Sequence, residues 1–424
     1  MIMARMGFTS KTRMYSFMTL VMSGQLIYSS FEAFKGTFYV QLLEILNISN
    51  TQLGLLFTIR GLSMFFFILS AWINNRFSVK KILFWCCSWR LLTMLMIIYF
   101  RPAFPVLVPI FFTWAICESI FWAAVVNGIS IESGDNKGLG FGLFESIRRA
   151  VEMVMNLLLV SVMSIATDAA LVFHNGMYAY TLIIIPLLYY IWKFLPDNID
   201  HSEENKNKVA WSGVLKMLGR PSIWLAGVIS MTIYWNYIVL IYTVPYLHSV
   251  FHTSDTLTST FGAINTDGIG IISGVCAGLL ADFVFRSPTK IISFSLCGAG
   301  ICLLILISHV NSVLLNISII LLFSFFTFMA KGVILAPVAE MNFPPDVSGS
   351  AMSIASFLTY SPNFFAYTIN GWFLDRYSAI SPILAYNRVF LVGAAVSISG
   401  ALVAACLVRH INKTQRIRTV PGTG

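Results

Sequence analysis

Residues 196–220 read PDNIDHSEENKNKVAWSGVLKMLGR, the only long hydrophilic stretch in a chain of 424 residues. Outward from it the sequence turns apolar in both directions. Before it, apolar segments fall at 15–41, 50–73, 79–100, 104–130, 139–166 and 173–194. After it they resume at 222–247, 257–280, 289–308, 312–337, 349–373 and 386–408. A helix needs about 20 mainly apolar residues to cross the hydrocarbon core of a bilayer, and each segment supplies them. Six segments, a break and six more predict an all-α membrane protein with twelve transmembrane helices. The break divides the chain into an N-terminal six-helix bundle at 1–195, a linker at 196–220 and a C-terminal six-helix bundle at 221–424.

Composition requires the lipid environment. The chain is 57% hydrophobic and 11% charged, with a mean hydropathy of +0.79. Soluble domains carry about 25% charged residues, so too few remain here to cover a water-facing surface. The formal charge of +9 invites a nucleic-acid reading. The placement of the basic residues removes it. With the N-terminus inside, eighteen Lys and Arg fall on the cytoplasmic side, from Arg5 and Lys11 to Arg416 and Arg418, and only Arg101, Arg376 and Arg388 on the other. That asymmetry is the positive-inside signal, and it predicts a multi-pass protein of the inner membrane with both termini and the linker cytoplasmic.

Cys86, Cys87, Cys117, Cys276, Cys297, Cys302 and Cys406 all lie in apolar runs without metal-ligand spacing and read as buried thiols. The first apolar run has no clear cleavage site and reads as a retained helix rather than a signal peptide. His248 and His252 are four apart at the end of a segment, a surface pair rather than a metal site. No phosphate-binding Gly-Lys-Ser/Thr loop occurs, so ATP hydrolysis is not expected. These features predict no enzyme activity, no metal and no cofactor.

The two halves repeat weakly. Thr51-Gln52-Leu53-Gly54 opens the second segment and Ser259-Thr260-Phe261-Gly262 the eighth. Gly138 precedes the fifth and Gly349 the eleventh, and the offsets stay near 207 to 211 residues. Repeated halves related by a pseudo-twofold axis are how many transporters place a site at the bilayer midplane.

At Gly278-Leu279-Leu280-Ala281-Asp282, with Arg286 and Lys290 beyond, the sequence resembles the loop motif of the major facilitator superfamily. In that family the Gly permits close helix approach, and the Asp latches the cytoplasmic side against a helix N-terminus and basic side chains. The matching stretch of the first half, Ala71-Trp72-Ile73-Asn74-Asn75-Arg76, has Ala71 for the Gly and Asn75 for the Asp. An amide carries no charge, which weakens a latch there. Gly140-Phe141-Gly142-Leu143-Phe144-Glu145 resembles the family's fifth helix. Glu340, Pro344 and Gly349 resemble its loop between helices ten and eleven, and Gly371-Trp372-Phe373-Leu374-Asp375 the end of helix eleven. The resemblance spans nearly the whole chain and leans toward bacterial inner-membrane permeases of the sugar-phosphate, organic-anion and nitrate branches. It implies two six-helix bundles and secondary transport by alternating access. It also implies a cavity lined by helices one, four, seven and ten, with two, five, eight and eleven beside it.

Charged residues within the predicted spans include Glu32, Lys35, Arg60, Arg90, Glu118, Arg148, Arg149, Glu152, Asp267 and Lys331. Each costs about 2.5–3.5 kcal/mol at a lipid-exposed helix centre on insertion scales, so they are expected to face a cavity or one another. By the family layout all but Arg90 fall on cavity-side helices. Helical spacing places Gln25, Tyr28, Glu32, Lys35 and Tyr39 on one face of the first helix, and Trp114, Glu118 and Trp122 on one face of the fourth. Ser324, Thr327 and Lys331 share a face of the tenth. Ser353, Ser356, Tyr360, Asn363, Tyr367 and Asn370 form a stripe on the eleventh, to be read either as solute contact or as interhelical hydrogen-bond glue.

Lys35 and Arg60 are the first candidates for solute contact, with Tyr28, Lys331, Tyr360 and Asn363 beside them. The alternative for Lys35 is an ion pair with Glu32. Sugar-phosphate antiporters of the superfamily carry a basic residue near the level of Lys35 and a second on helix seven. Helix seven here offers Tyr234, Trp235 and Tyr237 instead, which suit a sugar-like or larger organic solute; Tyr246 suits an interfacial aromatic belt. Glu32, Glu118 and Asp267 are the candidates for proton coupling, because a carboxyl in low dielectric takes a proton more readily. Asp267 sits among glycines and could reach Lys331. Glu145, Arg148, Arg149 and Glu152, with four-residue pairs Glu145–Arg149 and Arg148–Glu152, form an expected gating or structural network with Gly278, Asp282 and Arg286.

The sequence therefore predicts a secondary transporter of a small organic solute, an organic anion or sugar-like compound, coupled to protons or working by exchange. Its partners are the solute and the lipid bilayer, with no nucleic acid, and it is expected to act as a monomer. A transporter-like sensor without net flux and a broad exporter of amphipathic compounds are the alternatives.

Overall fold

The computed structural model describes residues 10–66, 70, 73–74, 76–133, 137–197, 217–285, 287–308, 311–341 and 345–419. Helices occupy the apolar segments, and several are broken where polar side chains gather. α1 (Lys11–Ser29) starts at the N-cap Ser10, whose hydroxyl accepts from Arg13 N at 3.2 Å. It is followed by a 3-10 turn (Glu32–Gly36) and by α2 (Tyr39–Leu46). Asn47, at φ 49°, closes α2 in the left-handed region that Asn tolerates. Ser49 and Gln52 then form a reciprocal capping box that opens α3 (Asn50–Gly61). Another 3-10 turn (Leu62–Phe66) follows. The rest of the first half is α4 (Val79–Phe100), α5 (Phe104–Ser133), α6 (Lys137–Ile165), α7 (Ala169–Leu182) and α8 (Ile184–Phe194).

The second half begins with α9 (Pro221–Ile241), α10 (Thr243–Phe251) and α11 (Asp255–Ala263). A π turn (Ile264–Gly268) leads to α12 (Ile269–Leu279), and a second π turn (Leu280–Phe285) ends it. α13 (Pro288–Ile307), α14 (Val313–Gly332) and α15 (Ala336–Glu340) follow. α16 (Pro345–Tyr360), a 3-10 turn (Ser361–Phe364), α17 (Ala366–Ser378) and α18 (Pro382–Thr419) complete the chain.

The chain forms two compact units. Unit 1 comprises Met1–Glu203 with Ser254–Ala263, and unit 2 comprises Glu204–Thr253 with Ile264–Gly424. Among the described residues, seven helices are long and apolar enough to cross a membrane, or eight if the bent pair Tyr39–Leu46 and Asn50–Phe66, at 99°, counts as one span. The protein is thus an all-α, multi-pass membrane fold.

Unit 1 packs α1 against α5 and α6 through Gly24, where an added Cβ would stand 3.1 Å from the Phe144 ring and 3.4 Å from Val125. In unit 2, Ile223, Ile229, Ile233, Ile292, Leu296 and Ala404 are buried together between α9, α13 and α18. Gly400 lets α18 approach α9 so closely that a Cβ there would fall 2.1 Å from Thr232 Oγ1.

Three expectations need correction. The first helix is not continuous through residue 41: it ends at Ser29, so the stripe from Gln25 to Tyr39 does not stay on one face. Tyr39 is buried and donates to Asn50 Oδ1 at 3.0 Å. The stripe on the eleventh segment divides at Pro362, which lacks an N–H and crowds the carbonyl four residues back. Beyond it Tyr367 and Asn370 are buried, whereas Tyr360 is exposed. Of the cysteines, Cys297 and Cys406 are exposed rather than buried; an uncharged thiol is tolerated on an apolar outer face.

Candidate functional site

The break in the first segment creates the central feature of unit 1. With α1 ended at Ser29, the 3-10 turn holds Glu32 inside the unit, 6% exposed. There it receives Arg90 Nη2 from α4 in a short ion pair. Arg90 is itself 5% exposed, and its guanidinium lies 3.6 Å from the Trp114 ring centroid. Trp114 is held in place by its Nε1, which donates to Thr93 Oγ1 at 2.9 Å, one turn beyond Arg90 on α4.

Arg60, in the last turn of α3, joins Glu32 to Glu118 of α5. Its Nε and Nη2 donate to Glu118 Oε2 and Oε1 at 2.7 and 2.9 Å, a two-point fork. Glu32 Oε1 lies 3.2 Å from Arg60 Nε as a Coulombic contact without a hydrogen bond, because that N–H points at Glu118. The Tyr28 ring lies 5.2 Å from the Arg60 guanidinium. Two guanidiniums balance two carboxylates, which is the condition under which charges can be buried at tolerable cost. Exposure is graded along the chain Arg90–Glu32–Arg60–Glu118. The Glu118 side chain is 24% exposed against 5% for that of Glu32, so Glu118 is the accessible end.

Beside it, Tyr28 meets Trp122 edge-on at 6.3 Å, and Trp122 packs on Phe144 at 5.8 Å. Arg148 lies 4.8 Å from the Trp122 ring, whose face attracts a guanidinium. Lys35 is not the partner of Glu32, whose carboxylate is taken by the two arginines; its Nζ stands 5.5 Å from the Phe57 ring. Arg149 and Glu152 follow on α6, half-buried. The side chains of Glu145, Asp267 and Asp282, and residue Arg286, lie outside the described residues, as does the expected pairing of Asp267 with Lys331; Gly278 lies near the end of α12.

Unit 2 gathers most of its predicted residues on one face of α9. Tyr234 and Tyr237, three apart, share that face with ring centroids 5.5 Å apart. Tyr234 meets Tyr360 edge-on at 5.0 Å, just before the 3-10 break that carries Asn363. Lys331 Nζ of α14 lies 3.2 Å from the Tyr237 centroid and 5.7 Å from Phe328. Trp235 does not join them. It is 6% exposed and packs on Phe365 at 5.6 Å, since one helical step turns it about 100° away.

Two functional groupings escaped the sequence reading. Arg90 was placed on a peripheral helix, yet it closes the charge chain of unit 1. Its signal was present, because a lone arginine in an apolar span needs a buried carboxylate. In unit 2, Asn265 in the first π turn accepts from Ser324 Oγ of α14 and donates to Thr243 Oγ1 at 3.3 Å, at the junction of α9 and α10. No sequence pattern announces a π turn. Among the described residues, no group of three or more His, Cys, Asp or Glu side chains could hold a metal ion.

The family model of the Major Facilitator Superfamily matches residues 20–367. The chain belongs to that superfamily. This member of it is a transport protein rather than an enzyme, and its task is secondary transport of a small organic solute across a membrane. It is 26% identical over 420 residues to the inner membrane protein YihN of Escherichia coli K12, covering 96% of this chain and 98% of the relative. The inner membrane protein YqcE of the same organism is 24% identical over 371 residues, covering 84% and 86%. The fold is similar to that of the nucleoside transporter NupG, with a TM-score of 0.76 at 13% identity, covering 94% of this chain and 99% of that one. A bacterial homologue of the human lysosomal transporter Spinster gives a TM-score of 0.70 at 11% identity, covering 96% and 98%.

Proposed function

We propose that this superfamily member carries a small organic anion with a sugar-like or comparable body across the inner membrane by alternating access, coupled to protons or to exchange. Twelve transmembrane helices in two six-helix bundles, divided at 196–220, with both termini cytoplasmic, accord with the apolar segments and the skew of basic residues. The names of the two Escherichia coli relatives support the inner-membrane location.

The observation that carries the reading is the fork between Arg60 and Glu118. A carboxylate held at two points by a guanidinium is the geometry with which an arginine binds a carboxylate or phosphate solute. Glu118 occupies that fork from the accessible end, so protonating it frees Arg60 for the solute. One event thereby couples proton uptake to anion binding. Glu32 keeps Arg60 in place throughout, because it is anchored independently by Arg90. In unit 2 the tyrosine face with Lys331 offers hydroxyl-tipped rings and a cation, which suit a sugar-like body bearing negative charge.

The test is uptake into proteoliposomes under an imposed pH gradient, after a screen for organic anions that raise the melting temperature. Glu118→Gln is expected to abolish gradient-driven accumulation while sparing solute exchange. Unchanged uphill uptake in that variant would overturn the coupling, and a screen in which neutral solutes alone stabilise the protein would overturn the anion.

A further inference from the structure

We propose that the groove between α4 and α8 is a binding site for one anionic phospholipid, with its headgroup on Lys80 and its acyl chains on Trp85, Phe84 and Trp192. Lys80 Nζ lies 4.7 Å from the Trp192 ring centroid. Phe84 bridges the two indoles, 5.5 Å from Trp192 and 5.9 Å from Trp85. The ammonium and the three rings therefore form one continuous surface built from two helices. It faces outward: Trp85 is 71% and Trp192 58% exposed. Both helices belong to segments apolar and long enough to cross a membrane. Indoles at the end of such segments sit at headgroup level, where one edge meets acyl chains and the other meets water.

The charge at this end of the groove calls for an anion. The first turn of α4 holds Lys80 and Lys81 and no acidic residue, so two cations stand at the positive end of the helix dipole. Among the described residues, the carboxylate facing them is that of Asp197, just past α8, which accepts from Ser78 Oγ and lies 3.4 Å from Lys81 Nζ. Lys193, next to Trp192, lies over Tyr189 and Phe194. Among the described residues, three lysines stand against one carboxylate here, a positive excess, and Lys80 is the one directed along the indole surface. A diffusible phosphate satisfies the charge but leaves the rings uncovered. A zwitterionic lipid covers the rings but adds no net negative charge. An anionic phospholipid does both.

The experiment uses the full-length protein in detergent, with bound lipid counted by native mass spectrometry and thermal unfolding followed in parallel. The additives are phosphatidylglycerol, cardiolipin, phosphatidylcholine and inorganic phosphate. The anionic lipids are expected to bind and raise the melting temperature, and phosphatidylcholine and phosphate are not. Near a membrane surface one lysine contributes about 1 kcal/mol to holding an anionic lipid, so Lys80→Gln should weaken binding about fivefold. Trp192→Leu should weaken it further, whereas Lys290→Gln, an exposed lysine in the first turn of α13, should leave it unchanged. Equal binding of phosphatidylcholine, stabilisation by phosphate alone, or an undiminished lipid count in both Lys80→Gln and Trp192→Leu would overturn the proposal. So would a dimer that Trp85→Ser converts to monomer, since the groove would then be an interface between two copies.

Discussion

Arg90 and Glu32, on segments 58 residues apart in the chain, form a buried ion pair with both side chains about 95% removed from solvent. The pair explains why the first segment breaks. An unbroken helix would carry Glu32 along the helical path, whereas the 3-10 turn sets it where α3 and α4 both deliver a guanidinium. The backbone bonds lost at the break are offset by charge-assisted ones.

Arg90→Met should therefore leave Glu32 with half its compensation. Removing one partner of a buried pair costs about 3–5 kcal/mol, to be read as a lowered melting temperature in detergent. The double variant Arg90→Met with Glu32→Met should recover most of that loss, because two apolar side chains leave no orphaned charge. A double variant no more stable than the single one would show that the pair is incidental.

Lys331 and Tyr237 provide a second test. Lys331→Gln and Tyr237→Leu should each weaken solute binding, by about two- to thirtyfold for a cation–aromatic contact of 0.5–2 kcal/mol. Tyr237→Phe keeps the ring and should retain most of the affinity. Trp235→Phe should leave it unchanged, because Trp235 is turned toward Phe365. Equilibrium binding of the solute found in the screen checks all four.

Glu340 ties α15 to the start of α13, accepting from Thr289 Oγ1 and, at 3.1 Å, from Thr289 N. A carboxylate there also meets the positive end of the helix dipole. Glu340→Gln keeps an acceptor but loses the charge and should cost about 0.3–1 kcal/mol. Glu340→Ala loses both and should cost more, about 1–2 kcal/mol. Thermal unfolding that ranks the two variants in the opposite order would refute this capping role.

Asp197, outside the spans, is held below its ordinary pKa, first by the hydrogen bond from Ser78 and then by Lys81. A depressed carboxylate stabilises the fold above its unfolded pKa, about 3.9 for Asp, and that contribution fades as pH falls through the folded value. Ser78→Ala also removes the N-cap of α4, a loss that does not depend on pH, so the variant should be less stable than the parent at neutral pH and by a smaller margin below about pH 4. A stability difference that persists undiminished at pH 3 would contradict the assignment.

Much of the site was legible as residue types without partners. The charges in apolar spans had to be compensated, and the sequence supplied Glu32, Arg60, Glu118, Tyr234, Tyr237 and Lys331 as candidates. Where a helix runs unbroken, spacing keeps side chains in company, as with Tyr234 and Tyr237 on α9. It failed across breaks, since a 3-10 or π turn changes the rotation per residue and moves every later side chain to a new face.

The sequence by itself determined that this is a multi-pass helical membrane protein, because hydropathy and segment length are properties of the chain alone. Only the tertiary structure decided which charges meet. Arg90 rather than Lys35 binds Glu32, and Glu118 rather than a free solute site fills the Arg60 fork. The reason is physical: apolar patterning says that a charge must be compensated, but four helices must be packed before any particular guanidinium lies within reach of a particular carboxylate.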